Sequence, residues 1–394
     1  GDVYKRQVVT LLLGMDNEVA DVVTGEEADS VFYGVVQTAT RSLVEDNGAD
    51  VLQRVAVMCT DGITRTVNVD KSLNYPAGWM VRIDVTPEGE NVTAIENRTI
   101  SGTVSADATM LGDHKLADDV QILDTTTEGV AGTVRPSRLS GTKLNMLNVR
   151  YYTLNDNGEI DRLILNDVTG DLWKYGVLDD IRNIAANLPS TKTPATAGDS
   201  EGEGSDGTNQ VLKDLRSVLV PTTSEILWGV INGDILQTVW NKVTSSTGSL
   251  VSIGVKQLAK VVGEPYGTIL NYVGGGATYV CYVNGQLTSY TTSIKYPVLA
   301  GGLAVRQEVN GSVKAMVQLM PMKIDKVGAA SVLSGSTRYE VADNAQVYLW
   351  YKGQYYATKL AEVNSDDYYL TGWYDNFGCA AGKRVRVIVA VKKD

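Results

Sequence analysis

Two kinds of hydrophobic pattern divide the chain. Most of it alternates apolar and polar residues in short runs broken by turn residues, the pattern of β-hairpins. Val149 to Leu165 (VRYYTLNDNGEIDRLIL) shows it most clearly. Its arms are rich in Tyr, Thr, Ile and Leu, and they flank Asn155-Asp156-Asn157-Gly158, where Asn-Gly tolerates the φ > 0 of a tight turn. Further hairpins are predicted at Val51–Val69 (turn Asp61-Gly62), Val81–Ile95 (Pro87-Glu88-Gly89), Tyr279–Tyr290 (Asn284-Gly285) and Val305–Leu319 (Asn310-Gly311). Leu11 to Val23 has the same shape around Met15-Asp16-Asn17. Val385 to Val391 is a last strand.

The second pattern has helical spacing. After the helix-start signal Thr222-Thr223-Ser224-Glu225, apolar residues recur at Leu227, Val230, Ile231, Ile235, Val239, Trp240 and Val243. A second stripe, Val251, Val255, Leu258 and Val262, ends before Gly263-Glu264-Pro265. The expectation is a helical hairpin over 211–273. Its polar face carries few charges, which favours packing on the protein's own body over a membrane surface. Residues 183–210 precede it. They contain the Pro-, Thr-, Gly- and Ser-rich stretch Pro189–Gln210, expected to be a flexible acidic linker. The GxGxxG match at Gly202–Gly207 carries no weight there: no strand precedes it, and its carboxylates would repel a pyrophosphate.

The β pattern is duplicated. Gly62 and Gly285 lie 223 positions apart, Arg82 and Arg306 lie 224 apart, and Asp118 and Asp343 lie 225 apart. Three anchors holding one offset to within a residue point to an internal repeat. The expected division is 1–7 a non-native leader, 8–48 the end of a truncated β module, 49–182 a first β module, 183–210 the linker, 211–273 the helical insertion, and 274–394 a second β module. The fold class expected is mainly β: tandem hairpin modules, small barrels or sandwiches, with an inserted helical hairpin. The leader Gly1–Gln7 resembles a spurious start found in metagenome-derived translations, so an upstream part is expected to be missing.

Composition narrows the function. With 43% hydrophobic and 21% charged residues the chain is globular rather than disordered. A formal net charge of −11 argues against nucleic acid and against an anionic membrane. No apolar run approaches the length of a membrane span. Twenty Tyr against two Phe suit half-exposed sheet surfaces. Three cysteines exclude a disulfide framework. Cys59 and Cys281 take matching places in two hairpins and read as small buried hydrophobes, while Cys379 reads as a loop thiol.

Candidate chemistry is sparse. The single histidine, His114, sits in a polar turn-like segment, so a triad lacks its base. No GxSxG elbow is present. Asp118-Asp119, Asp179-Asp180 and Asp366-Asp367 are uninformative in so acidic a chain. Asn155–Asp161 has a passing likeness to a calcium loop but lacks its acidic ladder and distal Glu, leaving at most weak Ca2+ binding and no other cofactor. The pair Val-Arg recurs at Arg82, Arg150, Arg306 and Arg386, where alternation would turn Val to the core and Arg to the rim. Trp350, Tyr351, Tyr355, Trp373 and Tyr374, together with Trp173, Tyr175 and Tyr356, are candidates for a sugar-binding face, or for an ordinary packed sheet surface.

The phrases VRYYTLNDNGEIDRLILNDVTGD, AGGLAVRQEVNGSVKAM, VYLWYKGQYYATKL and GKRVRVIVA resemble the β-rich region of S-layer-homology-domain-containing surface proteins of Firmicutes. The resemblance covers most of Val8–Lys393. It implies a secreted protein held at a Gram-positive cell wall, with wall polymers or neighbouring surface-layer subunits as partners. The reading is a structural, non-enzymatic stalk or surface-layer component, extracellular, with neither nucleic acid nor a membrane span. The alternative is a module that binds carbohydrate or a cell-wall polymer.

Overall fold

The computed structural model describes residues 9–13, 19–24, 30–43, 51–183, 277–294, 296, 298 and 300–394. The expected linker and helical insertion lie outside the described residues. Within them the chain is mainly β, and the only helical pieces are two short 3-10 turns, Pro136–Leu139 and Leu360–Glu362. Two compact units divide between Leu172 and Trp173, with Gln307–Ser312 and Gly378–Ala381 counted with the first unit.

The first unit begins with the expected hairpin of β1 (Val9–Leu13) and β2 (Val19–Thr24). Then β3 (Ser30–Leu43), β4 (Val51–Cys59), β5 (Thr64–Val69), β6 (Met80–Thr86) and β7 (Gly89–Ala94) form one sheet in the order β5-β4-β3-β6-β7. Its end strands β5 and β7 touch, so the sheet curls almost closed. Val36, Val55, Val57, Cys59, Val67, Val81 and Ile83 fill it. Alternation predicts this filling, because every second residue of a strand faces one side. Next come β8 (Gly102–Thr103), β9 (Met110–Leu111), β10 (His114–Thr125), β11 (Ala131–Thr133), β12 (Lys143–Leu144), β13 (Val149–Leu154) and β14 (Ile160–Asn166). They build a second sheet, β11-β10-β14-β13 with β9 beside β10, and a small β12-β8 pair. Its core holds Leu111, Leu116, Ile122, Leu139, Leu144, Ile160, Leu163 and Leu165. Each such side chain contributes roughly 1.5–3 kcal/mol by burial.

The second unit repeats the first. The strands β15 (Lys174–Asn183), β16 (Ala277–Val283), β17 (Gln286–Thr292), β18 (Gly301–Gln307) and β19 (Val313–Gln318) pair in the order β17-β16-β15-β18-β19. The remaining strands are β20 (Met320–Ile324), β21 (Lys326–Val327), β22 (Ser331–Ser334), β23 (Thr337–Tyr351), β24 (Gln354–Thr358), β25 (Tyr368–Tyr374) and β26 (Val385–Lys392). They form the order β20-β25-β26-β23-β22-β21, with β24 beside β23.

Register makes the duplication exact at several points. Both first sheets carry a bulge in their central strand, between Val36 and Thr38 and between Leu178 and Asp180. Gly34 and Gly176 precede these bulges by two residues, and at each a Cβ would strike a carbonyl of the facing strand (Met58 at 2.2 Å, Tyr282 at 2.6 Å). Both second sheets contain a parallel pair, β10 with β14 and β23 with β26. In each pair the register breaks between Leu116↔Ile160 and Gln121↔Arg162, or between Val341↔Val385 and Gln346↔Val387. Every partner is displaced by 225 positions (116 to 341, 160 to 385, 121 to 346, 162 to 387).

Three sequence expectations change. The strands β3 and β15 are the central strands of their sheets, so the expected boundaries at 48/49 and 182/183 each cut through a sheet. Hydrogen bonding, which sequence spacing does not display, ties β3 to β4 and β15 to β16. The Val-Arg pairs, moreover, are not equivalent positions. Arg82 faces Tyr33, whereas the strand position matching it in the second unit is Ala304, facing Tyr175. Cys59 and Cys281 differ by one pleat for the same reason: Met58 corresponds to Tyr282.

Candidate functional site

Of the aromatic positions expected to line a glycan-binding face, Trp350, Tyr351, Tyr355, Trp373 and Tyr374 lie on the second sheet of the second unit, where the fold separates them, while Tyr175 lies on β15 of the first sheet and Trp173 just before it. Trp350 on β23 is half-buried and pairs across strands with Tyr355 of β24. Tyr355 is buried, with its ring 5.5 Å from that of Tyr282. Trp373 is 2% exposed and packs on Gly301 and Gly302 of β18. Tyr374 is half-buried beside Tyr339, ring centroids 5.0 Å apart. Of the five, Tyr351 alone is exposed, at 59%. The cause is alternation. Trp350, Tyr355 and Trp373 share the sheet face turned to the unit's first sheet, while Tyr351 is on the other. The five therefore do not make one exposed platform.

Two further tyrosines are open: Tyr356, named with the wider candidate set, and Tyr369, which the sequence reading left aside. Tyr356 lies on the Tyr351 face, with its hydroxyl donating to Gln354 Oε1 at 3.0 Å. Tyr369 lies on the Trp350 face, with Lys393 Nζ 5.3 Å above its ring. Exposed rings thus sit on both faces at one end of this sheet.

The buried polar groups are committed to holding strands and turns. Asp124 receives four hydrogen bonds: Oδ1 from the Thr125 and Val168 amides, Oδ2 from the Thr169 amide and hydroxyl. Burial nonetheless pushes its pKa up. Arg386, fully buried, donates from Nε to Asp375 Oδ1 at 2.8 Å and lies 4.6 Å from the Tyr175 ring centroid. This overturns the expectation that all four Val-Arg arginines face a rim. Arg82 does so, paired with Asp84 at 2.7 Å, whereas Arg150 reaches inward to the Gly78 carbonyl and Thr125 hydroxyl. A carboxylate placed in the interior beside Arg386 satisfies it.

Gln121 and Gln346, 225 positions apart, brace the two sheets of their own units. Gln121 Oε1 accepts from the Thr60 hydroxyl at 2.7 Å. Gln346 Oε1 accepts from the Asn284 amide, and its Nε2 donates to the Tyr175 carbonyl. Their equal offset from Asp118 and Asp343 was the sequence signal for them.

The Asn155–Asp161 turn is closed by its own groups. Asn155 Oδ1 accepts from the Asn157 and Glu159 amides, and Gly158 has φ +74°. Lys115 Nζ binds Glu159 at 2.6 Å and, with Asn155 Nδ2, holds that carboxyl below its usual range. His114 opens β10 opposite Leu111 across the turn Gly112-Asp113. Burial lifts the Cys59 thiol to about 11, so it is an inert core group. Among the described residues no helix is long and apolar enough to cross a membrane.

No protein-family model matches the chain, and neither a curated protein nor a solved structure matches it.

Proposed function

We propose that the chain is a structural, non-catalytic region of an extracellular, cell-wall-associated protein: a stalk or surface-layer component. One observation carries the reading. The parts that repeat between the units are the parts that hold the fold: strand order, central bulge, parallel-pair register and the glutamine brace. Repetition of a self-supporting unit lengthens a molecule without requiring a new fold, which is what a spacer needs. The acidic surface suits solubility beside an anionic wall. The partners are wall polymers or neighbouring subunits, and the role requires no cofactor.

The second reading, a module that binds a wall polymer, is favoured by the exposed rings of Tyr351, Tyr356 and Tyr369. Sedimentation of the purified chain with Gram-positive cell walls separates the two, run with and without calcium and with soluble glycans as competitors. A passive spacer stays in the supernatant throughout. Sedimentation that glycans compete away replaces it with the binding reading. Release of sugar or peptide fragments from the walls sinks the non-catalytic one.

A further inference from the structure

Among the described residues, the most exposed apolar side chains of the first unit stand together at one turn. Met146 is 65% and Leu147 80% exposed, between β12 and β13. The turn beneath them is fixed by hydrogen bonds on every side. Asn145 Oδ1 accepts from the Leu147 and Asn148 amides, and Asn148 Oδ1 from the Asn145 amide. The Thr99 hydroxyl donates to the Met146 carbonyl, and Asn166 Nδ2 to the Leu147 carbonyl. Two apolar side chains are thus held out into water by a rigid support.

The duplication supplies an internal control. The second unit builds the same turn before β25: Asn364 Oδ1 accepts from the Asp366 and Asp367 amides, and Lys393 Nζ donates to the Ser365 carbonyl. Its tip is Ser365-Asp366. The fold therefore does not require Met-Leu at this place.

Charge at the first tip runs against the whole chain. From Gly129 to Asn155 there is no acidic residue, although the chain carries −11. Arg98, Lys143 and Arg150 have no carboxylate partner among the described residues. Arg98, next to Thr99, donates to the Tyr152 carbonyl and lies over that ring; Arg150 donates to neutral oxygens; Lys143, three residues before Met146, is exposed. Carboxylates near by include Glu96, which is exposed, Asp113, exposed and next to Gly112, whose amide donates to the carbonyl of Thr103 opposite Lys143, and Asp167, whose Oδ1 is buried.

We propose that this tip is a contact site for an anionic lipid bilayer. Met146 and Leu147 enter the acyl boundary, and Lys143 and Arg98 meet headgroup phosphates. A soluble anionic polymer would satisfy the cations but offer nothing to the apolar pair, which selects the bilayer.

The test is co-sedimentation of the whole chain with vesicles of equal parts phosphatidylcholine and phosphatidylglycerol, and with phosphatidylcholine alone. The expected result is binding to the anionic vesicles only. Met146→Ser with Leu147→Asp, which copies the second unit's tip, lowers partitioning roughly tenfold or more. Lys143→Gln, away from the turn's hydrogen bonds, weakens binding and flattens its salt dependence. Thermal melts of both variants establish that they fold. No sedimentation of the unaltered chain overturns the proposal. So does equal binding to uncharged vesicles, or undiminished binding of the tip variant. Competition by polyglycerol phosphate that also binds the tip variant assigns the site to a polymer and overturns it as well. Wall sedimentation and vesicle sedimentation are read separately, so this site can fail while the structural role stands.

Discussion

Trp373 occupies the space that a side chain on Gly302 would need: a Cβ built there falls 2.6 Å from Trp373 Cβ. The first unit solves the same junction the other way round. Its register equivalents are Met80, buried on the first sheet, and Thr153 on the second. Large and small have changed sheets. Gly302→Ala is therefore expected to cost about 1–3 kcal/mol by overpacking. Gly302→Met with Trp373→Thr, the first unit's arrangement, is expected to be less damaging than either single change. Urea denaturation of the four proteins checks this; additive losses would show that the two positions do not share one space.

Arg386 and Asp375 form the one ion pair among the described residues in which both side chains are fully buried, at 0% and 1% exposure. Removing one partner strands the other charge in the interior. Arg386→Met alone is expected to cost about 3–5 kcal/mol. Adding Asp375→Asn should restore part of the loss. Asp375 accepts the Lys383 amide on Oδ2 and the Arg384 amide on Oδ1, and an asparagine, with a single acceptor oxygen, keeps one of the two while removing the stranded charge. Equal losses in the single and double variants would mean that the carboxylate matters for more than its partner.

Alternation and turn chemistry made the hairpins legible, because each is a local property of a few residues. Asn155–Gly158 and Asn284-Gly285 turn where Asn-Gly allows, and β10 and β23 follow from the matching Ala-Asp phrases. What stayed hidden depends on partners distant in sequence. Nothing near Arg386 says that Asp375 will meet it inside, and nothing in Trp373 says that a glycine pair will receive it. The aromatic residues looked like one surface because alternation gives two faces without saying which is covered. The basic setting of Met146 and Leu147 was masked by a net charge summed over the whole chain, although the acid-free run from Gly129 to Asn155 was open to inspection.

Alkaline stability gives a third expectation. Burial lifts the Tyr279 and Tyr290 hydroxyls to about 12, from an ordinary value near 10. In the unfolded chain these groups lose their protons near pH 10, while in the fold they keep them until about pH 12. Between those limits the unfolded state binds fewer protons, so stability falls as pH rises, on the order of 2 kcal/mol per tyrosine. Tyr290 has no side-chain hydrogen bond among the described residues, so Tyr290→Phe should remove its share of the slope at little cost near neutral pH. Urea midpoints measured from pH 8 to 12 decide this, and an unchanged slope would assign the alkaline transition to other groups.

The longest connection in the chain enters and leaves through one hairpin. The strand β15 ends at Asn183 opposite Ala277 of β16, and residues 184–276 join them. In the first unit the same two strand ends, Leu43 opposite Val51, are joined by residues 44–50 alone. Both ends of the long segment are therefore already held at strand-pair distance by β15 and β16. Closing a loop costs little more or less as its length changes, about 0.6 kcal/mol per doubling. Replacing 184–276 by the sequence of 44–50 should then leave the second unit folded. Its melting transition should change little, and Trp373 fluorescence should keep its buried character. Loss of the transition, with exposure of Trp373, would show that the segment contributes to the core of the second unit and is not simply carried by it.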